Sequence, residues 1–400
     1  MPFNRKFVNI IGAGFAGIEC ALFLATHGVK VHIFDSGRVF EKDVFDENAS
    51  LVKEKTKKLL TKELERLGSP LVCYGEKQGL SEKEILQLGK TLINQHPNIK
   101  VINACVHELN PGEVTVIATG SYTDEGMSDF LVKIFGGMLC HSYMPLYPIF
   151  DKSGEKLEER NGNKLLGLSY EEYIKFINGV LDEVRENEVL KEDMLSGTIE
   201  KLAFESKNAL RDFSLRPVLT SLNDRPYATV KFGQTAKGLL GIGLASTLPQ
   251  SSQEKIFSKI DFLKDAKLVA CGKMLKVCQI SSPYVVNLYH QSLAHKNIFF
   301  AGSILGISGH IDCIASGLYT ALCVLKYVQE RAMVDLSPLT AMGKMVKMIA
   351  TQDRILGGFL EDYQIFSNAD LEKDNIVDLF AKRSLDELAK FKENYNGNYV

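Results

Sequence analysis

Tryptophan is absent from this chain of 400 residues, and its eight cysteines form no CxxC pair. The first absence excludes any site that depends on an indole ring. The cysteine spacing argues against a zinc site and against a disulfide framework. We therefore expect no metal ligands, and we expect thiols that act mostly as small buried hydrophobes in a reducing cytoplasm.

A strong charge of either sign is also missing, since 47 Lys and Arg stand against 49 Asp and Glu. The net charge of −2 supplies no general attraction to a polyanion, so we expect no DNA partner, and an RNA would need a local basic patch. The apolar stretch after Arg5 and Lys6 contains three glycines and Glu19. It therefore predicts neither a signal peptide nor a membrane span.

The amino-terminal segment, residues 7–37, carries a nucleotide-binding pattern: a short apolar run, a glycine-rich turn, an apolar helix and a second strand. The first glycine permits a tight turn, Gly14 lets the backbone approach a pyrophosphate, and Gly17 lets helix and strand pack closely. The helix N-terminus attracts phosphates, and an acid ending the second strand would accept hydrogen bonds from the adenosine ribose. The predicted contacts are Gly12, Ala13, Gly14, Phe15, Ala16, Gly17 and Asp35.

Two later segments extend the predicted nucleotide site. Residues 114–117 form an apolar strand that ends in Ala-Thr-Gly, a pattern that passes beside the nucleotide in flavoproteins with two dinucleotide motifs. Residues 297–302 form a strand that delivers a glycine, and a helix of small residues follows. The start of this helix would place a positive dipole near the flavin ring, so FAD is preferred to NAD alone. The added contacts are Ala118, Thr119, Gly120, Gly302, Gly309, His310 and Ile311.

These nucleotide signatures lie near the two ends of the chain. The residues between them lack such signatures and have a different pattern of predicted helices and strands. Helical stretches such as Ser169–Arg185 alternate there with β-like runs. We predict an α/β protein with a doubly wound, Rossmann-type FAD-binding domain and an inserted smaller α+β domain. The expected boundaries are 1–120 for the first part of the FAD domain, 121–230 for the insert, and 231–400 for the second part with carboxy-terminal helices.

A lysine-rich segment follows the first βαβ unit. Residues 51–68 read LVKEKTKKLLTKELERLG and predict an amphipathic helix. Its lysines form either an ordinary solvated face or an edge that contacts RNA phosphates. In the second case the Lys53–Lys62 face would bind RNA with an affinity that falls as salt rises.

The chain resembles the TrmFO family, the folate- and FAD-dependent RNA uracil-5-methyltransferases of bacteria. The segments that carry the resemblance are IIGAGFAGIECA at 10–21, VTVIATG at 114–120, RPYATVKF at 225–232, SSP at 281–283, FFAGSILGISGHIDCIASGL at 299–318 and LSPLTAMGKM at 336–345. The resemblance implies methylation of uracil C5 in structured RNA, either tRNA or rRNA. It also implies FAD as a cofactor, 5,10-methylenetetrahydrofolate as the one-carbon donor and NAD(P)H as the reductant.

The sequence departs from the family at two cysteines. Family members carry one in an LVCSNS-like segment and one in an EGCMP-like segment, where this chain has Lys53 and Lys207. Uracil C5 chemistry commonly begins with thiolate addition at C6, so the catalytic residues stay unassigned.

Three explanations for the missing cysteines compete. A relocated thiol such as Cys73 or Cys278 could act, or the enzyme could modify a different RNA with altered residues. The third is a paralogue that kept FAD and lost methylation. Such a paralogue would be an FAD-dependent oxidoreductase, an NAD(P)H oxidase or a non-catalytic FAD-containing RNA-binding protein.

Overall fold

The computed structural model describes residues 4–37, 51–75, 78–120, 123–160, 163–218, 226–235, 237–307, 309–333, 335–352, 365 and 375–397. These residues divide into two compact units. The first unit comprises described residues up to 142 and from 277 onward, and the second comprises those from 143 to 276.

The described residues form both helices and strands. The strands are β1 (Asn4–Ile11), β2 (Val31–Asp35), β3 (Ile99–Asn103), β4 (Glu113–Ile117), β5 (Leu139–Leu146), β6 (Ile149–Asp151), β7 (Glu158–Arg160), β8 (Asn163–Leu168), β9 (Ala228–Thr235), β10 (Gly238–Ile242), β11 (Lys267–Ala270), β12 (Lys273–Ile280) and β13 (Ile298–Phe300). The helices are α1 (Phe15–Thr26), α2 (Leu51–Leu67), α3 (Pro70–Tyr74), α4 (Glu82–Gln95), α5 (Glu125–Phe135), α6 (Tyr170–Glu186), α7 (Ile199–Glu205), α8 (Ala209–Phe213), α9 (Gln250–Phe257), α10 (Ser282–Val285), α11 (His310–Val328), α12 (Ala341–Thr351) and α13 (Ile376–Gly397). Short 3₁₀ helices cover Gly136–Met138, Asp261–Leu263 and Gly302–Leu305.

A parallel sheet forms the centre of the first unit, with strand order β13-β4-β1-β2-β3. Its central strands are almost continuously apolar because helices cover a parallel sheet on both faces. The late strand β13 pairs with β4, so that Phe299 lies opposite Val116 and Phe300 lies opposite Ile117. The two ends of the chain therefore build one sheet, and the predicted Rossmann-type domain is confirmed.

The second unit has an antiparallel sheet with strand order β11-β6-β10-β9-β8-β7. Helices α6, α7 and α9 contribute apolar residues to the same core. Aromatic rings fill it, and Phe150 meets Phe257 edge to face at a centroid distance of 5.1 Å. A smaller α+β domain inserted into an α/β domain is the fold class that the sequence predicts.

The boundaries of the insert differ from the predicted 121–230. Helix α5 belongs to the first unit, where Met127, Leu131 and Phe135 are buried in the core and Phe135 packs edge to face against Phe300. At the other end, β9 continues to Thr235, and β10 and β11 complete the second unit's sheet. The insert therefore runs from 143 to 276, because the sheet in the second unit needs strands on both sides of residue 230.

Helix α11 is apolar along most of its length. Among the described residues it is the one helix long and apolar enough to cross a membrane, and 89% of that stretch is buried in the protein. It packs against α1, where Gly317 lies beside the backbone of Ala16. The cytoplasmic location stays a prediction.

A buried carboxylate connects α2 to the carboxy-terminal helices. Glu63 accepts hydrogen bonds from the backbone N–H groups of Ala341 at 2.7 Å and Met342 at 2.9 Å, and from the hydroxyl of Ser384. The N–H groups at a helix start have no partner inside the helix, so Glu63 completes the N-terminus of α12. Burial raises the pKa of Glu63 above its ordinary value.

We expect Glu63→Leu to lower the free energy of unfolding by about 2–5 kcal/mol, because two buried N–H groups and one hydroxyl lose their acceptor. Thermal or urea denaturation measures this change. Arg66→Ala, at an exposed position on the same helix, is the control and should shift stability by less than about 0.5 kcal/mol. Equal stability of the two variants would contradict the assignment.

Candidate functional site

A glycine-rich turn of residues 12–17, here called the glycine turn, joins β1 to α1. Gly12 has a φ of +110°, and a Cβ on it would lie 2.3 Å from the carbonyl oxygen of Ala118. A Cβ on Gly17 would lie 1.9 Å from the carbonyl oxygen of Gly12. Both positions therefore need glycine, since main chain from β1, α1 and the end of β4 meets here without space for a side chain.

Gly14 differs from its two neighbours in the turn. It is the N-cap of α1 with an extended backbone, and a Cβ built on it meets no atom within 4 Å. As a glycine, it offers no side chain to cap the N-terminus of α1. Helix N-termini attract phosphate, so Gly14 stays the predicted contact for the pyrophosphate of a dinucleotide.

Asp35 ends β2, the strand beside β1. Its carboxylate accepts hydrogen bonds from Lys90 Nζ and from the N–H of Gly37, each at 3.0 Å. The side chain is one-fifth exposed, and both oxygens keep a further lone pair that could accept a ribose hydroxyl. Lys90, on α4, was missed in the sequence analysis because no local pattern connects it to a residue 55 positions earlier.

The carboxy-terminal signature approaches the same turn. The N–H of Gly302 donates to Ser316 Oγ at 3.0 Å, and a Cβ on Gly302 would lie 2.8 Å from the Cβ of Ala16. Within α11, a Cβ on Gly317 would lie 2.4 Å from the carbonyl oxygen of Ala16. Helices α1 and α11 therefore pack with their backbones in close contact.

His310 begins α11, after Gly309 with a φ of +102°. The imidazole is buried, its Nδ1 pairs with a carboxylate oxygen of Glu82, and its ring centroid lies 5.6 Å from that of Phe15. The first residues of α1, α4 and α11 therefore meet at this point. Glu82 is a second residue that the sequence analysis missed, because α4 showed no nucleotide motif.

Three further predicted contacts follow β4 directly, and one, Ile311, is the second residue of α11. The N–H of Ala118 donates to the carbonyl of Ile11 at 2.8 Å, and Thr119 shares a hydrogen bond with Thr123 at 2.6 Å. Gly120 has a φ of +74°. Ile311 is buried in the core, so only its backbone can contribute to a site.

Comparisons with known proteins agree with this geometry. Residues 151–332 match the family model described as glucose inhibited division protein A, and residues 8–67 match that of pyridine nucleotide-disulphide oxidoreductase. A methylenetetrahydrofolate–tRNA-(uracil-5-)-methyltransferase TrmFO of Thermotoga maritima is 28% identical over 96% of this chain and 99% of its own. A TrmFO 2 of Mycoplasma mycoides is 28% identical over 86% of this chain and 87% of its own.

The chain is similar to TrmFO proteins along most of its length. A solved structure of Aquifex aeolicus GidA matches at a TM-score of 0.61 and 15% identity, over 98% of this chain and 78% of that one. At this identity the match shows the fold alone, and it agrees with the FAD-binding Rossmann-type architecture.

The burial of each cysteine shows which thiol could act in place of the two cysteines that TrmFO proteins carry. Cys278 is only 3% exposed and lies in the apolar core, so it cannot reach a uracil unless the core opens. Burial also raises the pKa of Cys20, of Cys271 and of Cys323, the last to about 12, which opposes thiolate formation. Cys73, on α3, is half-buried and stays a candidate.

The two lysines at the family cysteine positions, and the lysine-rich helix, have different surroundings. The side chain of Lys53 lies outside the described residues, whereas Lys207 is exposed on the second unit. In α2, Lys62 Nζ lies 2.6 Å from Asp378 Oδ1, and the apolar face of the helix is buried. This pairing favours the interpretation of an ordinary solvated face, and the RNA-binding alternative stays a hypothesis.

Glu19 lies two residues after the glycine turn and is fully buried. Its Oε2 accepts a hydrogen bond from the N–H of Leu71 at 2.9 Å, which ties α1 to α3. Burial raises the pKa of this carboxyl to about 8, with hydrogen bonds from Ser69 and Leu71 acting in the opposite direction. The folded protein therefore keeps a proton on Glu19 that the unfolded chain releases above pH 4.5.

Because the folded protein holds this proton more tightly than the unfolded chain does, we expect the free energy of unfolding to fall as pH rises from 4.5 to about 8. The glutamine in Glu19→Gln cannot titrate. The free energy of unfolding of this variant should therefore increase relative to that of the wild type as pH rises from 5 to 7.5. Urea denaturation at several pH values measures the difference, with Glu65→Gln, at an exposed position on α2, as the control. A difference between Glu19→Gln and wild type that is independent of pH would contradict the raised pKa.

Proposed function

We propose that this chain binds FAD and transfers a one-carbon unit from 5,10-methylenetetrahydrofolate to C5 of uracil in structured RNA, either tRNA or rRNA. One observation carries the proposal: two strand–glycine–helix units from opposite ends of the chain share one sheet. Relatives named for this reaction align with almost the whole chain. NAD(P)H as the reductant stays a prediction from sequence.

The residues of the first unit suit each part of the dinucleotide. The N-terminus of α1 at Gly14 would bind the pyrophosphate, and Asp35, held by Lys90, would orient the adenosine ribose. The N-terminus of α11 would direct its dipole at the ring system, beside the paired His310 and Glu82. When bound, FAD supplies the redox chemistry that the reaction requires.

The second unit offers a surface suited to RNA around residues 204–208, where the family has its EGCMP-like segment. Arg211 lies over the ring of Tyr227 with its guanidinium carbon 4.9 Å from the centroid, and the Tyr227 hydroxyl donates to Asn208 at 2.8 Å. Phe204 is 44% exposed with Lys191 Nζ 5.7 Å from its ring centroid, and Lys207 is exposed three residues later in the chain. Aromatic rings stack on unpaired bases and Arg or Lys contacts phosphates, which supports an RNA substrate.

Cofactor binding can be separated from folding by two glycine substitutions. Gly14→Val projects into open space, so we expect a folded protein whose flavin content falls at least about tenfold, because the side chain takes the place of a phosphate. Gly317→Ala instead places a Cβ 2.4 Å from a backbone oxygen, so it should lower the melting temperature. Flavin absorbance and thermal unfolding measure the two effects. Unchanged flavin in Gly14→Val would contradict the assignment.

Mass spectrometry of 5-methyluridine in tRNA and rRNA, from cells with and without the gene, tests the reaction. We expect at least one site to lose 5-methyluridine without the gene, to regain it with the wild-type gene, and not to regain it with Gly14→Val. An identical 5-methyluridine map in all strains would end the methyltransferase proposal. Flavin retained in the purified protein would then indicate the paralogue that lost methylation.

A further inference from the structure

Three side chains with metal-binding atoms converge at the carboxyl end of the sheet in the first unit. Cys105 and His107 lie on the loop that follows β3, and Asp124 immediately precedes α5. Their ligand atoms all lie within 4.8 Å of one another, and His107 Nε2 is 3.2 Å from Asp124 Oδ1. None of the three belongs to the predicted nucleotide contacts.

The surrounding backbone positions two of these side chains. Asp124 is the N-cap of α5, and its Oδ1 accepts a hydrogen bond from the N–H of Met127 at 3.1 Å. The ring of His107 lies against the first turn of the same helix, where a Cβ on Gly126 would be 2.7 Å from His107 Cδ2. The loop after β3 and the start of α5 therefore hold imidazole and carboxylate together without needing a contact from Cys105.

We propose that Cys105, His107 and Asp124 bind one zinc ion. A thiolate, an imidazole and a carboxylate are ligands that zinc accepts, whereas calcium and magnesium prefer oxygen alone. Zinc bonds of about 2.0–2.3 Å require donor atoms about 3–4 Å apart, which small side-chain rotations provide here. Three protein ligands leave a fourth position for water, and the exposure of Cys105 and His107 keeps that position open to solvent.

The zinc ion would tie the loop after β3 to the start of α5. The sequence predicts no metal ligands because it lacks paired cysteines, and the structure brings these three residues together. The single Cys-x-His pattern at 105–107 receives its third ligand from a residue 17 positions after His107. This inference does not rest on the proposed function, because it concerns neither the flavin nor RNA.

To test the proposal, the untagged full-length protein is first treated with a chelator to remove bound metal and is then titrated with metal ions. We expect one equivalent of Zn²⁺ to bind in competition with a chromophoric chelator. Co²⁺ at the same site should show the absorption of a tetrahedral ion and a thiolate-to-cobalt charge-transfer band. Zn²⁺ should also slow alkylation of Cys105, measured by peptide mass spectrometry.

Variants identify the ligands. Cys105→Ser should remove the charge-transfer band and weaken Zn²⁺ binding at least about 100-fold, since even changes outside the ligand shell cost about 10–100-fold. Asp124→Asn keeps a good N-cap, so it should weaken Zn²⁺ binding while the melting temperature stays near that of the wild type. Cys271→Ser, in the second unit, is the matched control and should bind as the wild type does.

Three results would overturn the proposal. They are a wild-type protein that binds no Zn²⁺ at micromolar concentration, a Cys105→Ser variant with wild-type affinity, and a Co²⁺ complex without the charge-transfer band. If Cys105→Ser fails to fold, alkylation of the wild-type protein decides the question. Slower alkylation of Cys105 when Zn²⁺ is present would support the proposal, and an unchanged rate would overturn it.

Discussion

Direct contact between backbone segments, made possible by glycine, is the constraint on which the first unit depends. Gly12 and Gly17 let β1, α1 and the end of β4 meet, and Gly302 and Gly317 let α11 approach α1. At Gly12, Gly17 and Gly317 the opposing atoms belong to the main chain, so a side chain at any of these three positions must move a strand or a helix. The same contacts bring the N-termini of α1 and α11 to the edge of the sheet where its parallel strands end.

This arrangement explains how a chain interrupted by a second unit can build one nucleotide site. The sheet pairing of β13 with β4 connects the two ends of the chain, and it needs none of the inserted residues. Buried carboxylates add further connections within the first unit: Glu19 reaches the start of α3, and Glu63 reaches the start of α12. Both carboxyl groups accept hydrogen bonds from backbone N–H groups at a helix start, and these bonds offset part of their cost of burial.

Local sequence patterns predicted the elements that carry the nucleotide signatures. The glycine turn, helix α1 and the acid at the end of β2 lie where the sequence placed them, since each depends on residues close together in the chain. The insert boundaries were wrong because strand pairing across 143–276 leaves no local mark at either boundary. No local pattern predicts a role for Lys90 or Glu82 either, because their partners Asp35 and His310 are distant in sequence.

The central claim, that both ends of the chain bind one dinucleotide, is tested most directly by hydrogen exchange. The measurement compares amide exchange across the whole protein before and after FAD is added to the flavin-free form. The account predicts slower exchange in residues 12–19 and in residues 309–316 together, because the N-termini of α1 and α11 would contact the same molecule. Slower exchange confined to the amino-terminal segment would contradict it.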